Sequence, residues 1–173
     1  LHDLFLIAVD SGEAAVAQRY ARQAFRAYGP MHRRIPYLAH DLAVLWIREG
    51  QFGQALPVLR ALLPKFGSDD ERVLVLANIT RAAGGMEEAE LFETAWREAD
   101  DLLVLPGTSS RKAQALLNMA RGATGLSQWD RAEAAARGAL EQATLRGESQ
   151  IVFQAEAVLL SAQAHRAAAT AVG

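Results

Sequence analysis

The side chains in this chain that could do chemistry are few and scattered. Four histidines, His2, His32, His40 and His165, supply the imidazoles, and none stands at a His-Glu-x-x-His or comparable ligand spacing. His40 and Asp41 are sequence neighbours, and neighbours on a helix point in different directions, so adjacency alone makes no acid–base pair. Cysteine is absent, which removes disulfides, thiolate nucleophiles and cysteine-bound zinc. There is no Gly-x4-Gly-Lys-Ser/Thr, no Gly-x-Ser-x-Gly and no dinucleotide-binding glycine pattern. What remains is recognition chemistry. Arg48, Arg81 and Arg121 carry guanidinium groups that suit an acidic segment of a partner, each desolvated charge-assisted bond contributing about 1.5–3 kcal/mol. The expectation is a binding protein with no cofactor and no metal.

The elements that must position these groups are helices. No alternating strand pattern of useful length occurs, and glycine and proline fall between apolar runs with helical spacing. The punctuation predicts a partial pair over 1–28, pairs over 35–66, 69–102 and 109–146, and a terminal helix over 150–168, nine helices in one domain of 1–173. Gly84-Gly85 is expected to end a helix, Ser68 or Asp69 to cap the next after Gly67, and Ser109 or Ser110 to cap the helix that follows Pro106-Gly107. Pro57 is kept inside a helix because its missing N–H falls in the first turn.

The stretch Gly50, Phe52, Ala55 returns as Gly84, Met86, Ala89 at a spacing of 34, and again around Trp129 after an excess of nine residues between 100 and 110. Small residues at Ala43, Ala77 and Ala120 are expected inside each hairpin. Those at Ala55, Ala89 and Ala132 are expected between hairpins, so that a leucine at Ala55 or Ala89 would overpack by about 1–3 kcal/mol. Trp46, Trp96 and Trp129 fall at core-facing places.

On these residues the segment 36–145 resembles the tetratricopeptide repeat family. The departures are Ala for Gly in the first helix, Thr80 and Glu93 in place of aromatics, and a missing proline. The resemblance implies an all-α superhelix whose first helices line a concave face. That face would carry Tyr37, His40, Asp41, Val44 and Arg48, then Asn78 and Arg81, then Asn118, Arg121 and Thr124. Asn78 and Asn118 fall where peptide-binding members hold a terminal carboxylate, but Leu74 stands at the first lysine place. The implied function is protein–protein or protein–peptide contact as a module of a larger bacterial regulator. The alternative is a sensor that holds a ligand or signal peptide and changes curvature.

Composition limits the partner. At 173 residues, 51% apolar and with a formal charge of −2, the chain has no net field to draw it to nucleic acid or an anionic membrane. No apolar run reaches the length of a membrane span, and a cytoplasmic location is expected. Leu1 lies within an apolar-periodic segment, which reads as a piece of something longer. The terminal helix carries Ile151, Val152, Phe153, Leu159 and Leu160 around more than one face, and the expectation is a homodimer or an intact-protein contact there.

Overall fold

Helix-forming runs broken by a few left-handed residues give a chain that is helical throughout. The computed structural model describes residues 1–173, with no strand and nine α-helices. They are α1 (His2–Asp10), α2 (Ala14–Tyr28), α3 (Ile35–Arg48), α4 (Phe52–Leu62), α5 (Asp69–Gly85), α6 (Ala89–Leu103), α7 (Lys112–Gly125), α8 (Trp129–Arg146) and α9 (Ser149–Ala171). Short 3-10 turns occupy Leu63–Lys65 and Pro106–Thr108. No helix is long and apolar enough to cross a membrane.

Five of the connections are one motif. Gly12, Gly50, Glu87, Ser127 and Gly147 take positive φ. In each case the next residue donates its N–H to a carbonyl five residues back: Glu13 to Ala8, Gln51 to Trp46, Glu88 to Ala83, Gln128 to Ala123 and Glu148 to Ala143. This is the Schellman termination, which satisfies carbonyls that the helix end leaves open and turns the chain into the next helix. The turns after α3, α5 and α7 therefore repeat at Gly50, Glu87 and Ser127, spacings of 37 and 40. The starts of α3, α5 and α7, at Ile35, Asp69 and Lys112, keep the spacing of 34 and then 43 read from the sequence, while the turns that follow these helices are spaced differently. α5 ends at Gly85, as expected of Gly84-Gly85, but both glycines lie within the helix and the left-handed turn is made by Glu87.

The chain divides into two compact units, Leu1–Phe66 and Gly67–Gly173, a boundary that falls between the expected pairs 35–66 and 69–102. In the first unit α1 packs on α2, α2 on α3 and α3 on α4. Phe5, Ala8, Ala17, Ala21, Ala24, Leu38 and Leu45 form its core, the alanine stripe of α2 letting its neighbours close in. In the second unit α5, α7 and α9 lie in succession, with α6 on α5 and α8 against both α7 and α9. Ala120, Ala135, Ala136 and Ala139 are all buried there.

Of the expected seam residues, Ala43, Ala55, Ala77, Ala120 and Ala132 are fully buried. Ala89 is not: it is exposed as the first residue of α6, where a leucine would meet no packed neighbour to displace. Ser109 and Ser110 do not cap α7, which begins after Arg111 without a side-chain cap. The buried Thr108 holds that connection instead, its hydroxyl within hydrogen-bond distance of the Leu102 and Leu105 carbonyls at 3.1 and 2.9 Å. Ser68 is the residue before α5, and its hydroxyl bonds Glu71 Oε2 at 2.8 Å.

Candidate functional site

In the second unit the site is built on the contact between α5 and α7, where the two backbones touch. A Cβ at Gly84 would collide with the Gly122 carbonyl oxygen and stand 2.6 Å from Gly122 Cα. One at Gly122 would stand 2.5 Å from the Thr80 oxygen, and one at Gly125 2.5 Å from the Gly84 oxygen. Real Cβ atoms do not approach backbone so closely, so this crossing requires glycine on both helices.

The crossing brings their polar side chains into register. Asn118 Nδ2 donates to Asn78 Oδ1 at 3.0 Å, and both residues are buried, 4% and 2% exposed. Arg81 Nη1 donates to Asn118 Oδ1 at 3.4 Å. The two asparagines therefore brace α5 to α7 and are not open to a partner's carboxylate, contrary to the place assigned to them on the concave face. Thr124 also turns inward on its own helix, its hydroxyl donating to the Ala120 carbonyl at 3.0 Å.

Arg121 stands one turn after Asn118 and reaches α9, where Nη2 donates to Gln154 Oε1 at 3.3 Å. It makes no ion pair. Partial burial pushes its guanidinium below the ordinary arginine value by disfavouring the charged form. Arg121 is thus a partly desolvated cation whose bonded partner is a neutral amide. Gln154, which completes the pair, was not legible in the sequence, since an isolated glutamine on a helix carries no pattern.

Several other arginines of this unit are engaged in ion pairs. Arg131 donates to Glu93 at 2.6 Å and lies over the Trp96 ring at 5.1 Å, and its hydrogen bond holds the Glu93 carboxyl below the usual carboxylate range. So Glu93, a departure from the tetratricopeptide pattern, joins α6 to α8. Buried Glu133 on α8 has Arg137 Nη2 at 2.6 Å and Arg166 Nη1 at 2.7 Å, which ties α8 to α9. Trp129 stacks on His165 with ring centroids 4.3 Å apart, a further α8–α9 contact.

In the first unit the expected residues form a second group. His2 on α1 bonds Asp41 on α3, Nε2 to Oδ2 at 2.7 Å, while His40 Nδ1 stands 4.0 Å from the other carboxylate oxygen. Asp41 thus gathers an imidazole 39 positions away, a pairing that sequence adjacency could not reveal. Tyr37 and His40 both set their rings edge-on to Phe66, at 5.4 and 6.1 Å. Val44 is half-buried and Arg48 is exposed in the last turn of α3.

The face of α9 is mixed. Ile151, Val152 and Leu159 are half-buried, whereas Phe153 is 75% and Leu160 63% exposed. No protein-family model matches the chain, and no curated protein matches it.

Proposed function

We propose that the chain is a non-enzymatic tetratricopeptide-like array that holds an acidic segment of a protein or peptide partner on the α5–α7–α9 face. The observation that carries this reading is Arg121: a guanidinium partly drawn out of water between α7 and α9, with a neutral amide as its one bonded partner. Burying a charge without a counter-charge costs stability, and such a cost is retained where function uses the charge. Arg81, anchored on Asn118 within one turn of it, is the second cation of the face.

Replacing Arg121 by methionine keeps the aliphatic bulk and removes the charge. The unfolding midpoint is expected to hold or to rise by roughly 4 °C, corresponding to about 1 kcal/mol. In the same variant, binding of a fluorescent glutamate-rich peptide is expected to fall at least about tenfold, the loss of one charge-assisted bond. A glutamine-rich peptide of the same length serves as the control. If the midpoint drops sharply and acidic-peptide binding is unchanged, Arg121 belongs to the scaffold and the reading fails.

A second reading, for the terminal helix, is self-association. Phe153 and Leu160 are large apolar side chains left mostly in water, and a second copy of the chain would cover them. Sedimentation equilibrium is expected to show a dimer that Phe153→Asp with Leu160→Asp converts to monomer. A wild-type monomer at high micromolar concentration removes this second reading and leaves the first untouched.

A further inference from the structure

A cleft of about 530 Å3 in the first unit is lined by His2, Arg33, Arg34 and Tyr37. That volume lies within the range of roughly 300–1,000 Å3 typical of small-molecule sites. Arg33 and Arg34 occupy the turn that leads into α3, are exposed, and have no carboxylate within ion-pair distance. Asp41, the acid bonded to His2, is already engaged: a carboxylate only accepts, so His2 Nε2–H donates to it, and Nδ1 of the neutral ring is an acceptor that leaves the anion to the arginines. Arg34 is also the residue that immediately precedes α3, so the positive end of that helix's dipole adds to the two guanidinium charges. Tyr37, held edge-on by Phe66 and still half exposed, supplies a fixed aromatic surface beside them.

We propose that this cleft binds a small aromatic anion, its phosphate or carboxylate head held by Arg33 and Arg34 and its flat ring against Tyr37. Paired guanidinium groups match either head, because both present oxygens in the geometry that arginine donors reach. When the imidazole is protonated, His2 Nδ1–H becomes a further donor to the same head. The site is separate from the Arg121 face, and it does not depend on that face binding a peptide.

Phenyl phosphate, benzoate and phenol titrated into the full chain, followed by calorimetry, test this directly. At least one of the two anions is expected to bind at least tenfold more tightly than phenol, and the tighter of the two identifies the head. Arg33→Gln with Arg34→Gln is expected to abolish that preference with the unfolding midpoint unchanged, since both side chains are exposed. Tyr37→Leu is expected to weaken phenyl phosphate more than inorganic phosphate, while Arg121→Met leaves all three affinities as they were. The proposal is overturned if neither anion outbinds phenol, or if the preference survives loss of both arginines.

Discussion

Alanine at Gly84 or at Gly122 is expected to lower the unfolding midpoint of the second unit by on the order of 10–20 °C, corresponding to about 3 kcal/mol. On helix propensity alone the sign would be opposite, because alanine is favoured over glycine in a helix interior by about 1 kcal/mol. The Cβ at Gly84 has nowhere to go: what it meets is the Gly122 backbone, which cannot rotate aside as a flexible side chain would. The helices must separate, and with them the Asn78–Asn118 bond and the placement of Arg81. Gly138 in α8 is the internal control, since its Cβ would meet the end of the Leu116 side chain at 3.2 Å and that methyl can shift. Gly138→Ala is expected to leave the midpoint unchanged or to raise it. Thermal unfolding of the three variants by circular dichroism decides the matter. Equal behaviour of Gly84→Ala and Gly138→Ala would mean that the α5–α7 backbones do not touch.

The same glycines show what sequence reasoning reaches and where it stops. That the chain is all helix, and that it breaks near 12, 29, 50, 67 and 147, follows from glycine between apolar runs of helical period. The alanine seams were legible for the same reason: small residues at three- and four-residue steps close a helix pair whatever its partner, as buried Ala43, Ala77 and Ala120 do. Glycine itself has two uses, however, and spacing cannot separate them. At Gly50 it makes a left-handed turn, while at Gly84 it lies inside a helix for close approach, and the turn falls to Glu87 at φ 58°. Aligning Gly84 with Gly50 therefore kept the bounds of the second pair but started its second helix three residues early, at Met86 instead of Ala89, and so placed Ala89 in a seam. The polar residues fared similarly. Counting along helices put Asn78 and Asn118 on the same row as Arg81 and Arg121; the hydrogen bonds between α5 and α7 join Asn78, Asn118 and Arg81, whereas Arg121 turns to Gln154 on α9. Whether a side chain on that row faces its neighbour or a partner depends on how close the helices come, and two glycines set that distance.

The largest effect expected from a polar substitution follows from that closeness. Asn118 uses both ends of its amide, Nδ2 toward Asn78 and Oδ1 toward Arg81, in a place 4% exposed. Asn118→Leu keeps the volume and removes both bonds, and is expected to cost about 2–3 kcal/mol, since two charge- or amide-bearing groups each lose a hydrogen bond at a buried crossing. Asn78→Leu with Asn118→Leu should recover much of that loss, because two leucines replace the amide pair with apolar contact across the same crossing. The double-mutant cycle built on these variants is expected to give a coupling of about 1–2 kcal/mol, read from urea unfolding with an unchanged m-value. Strict additivity would assign the two asparagines independent roles and would reopen the face to a carboxylate. A large coupling instead fixes them as a brace between α5 and α7, and predicts that the doubly substituted protein, though stable, binds the acidic peptide more weakly because Arg81 has lost its hydrogen bond to Asn118.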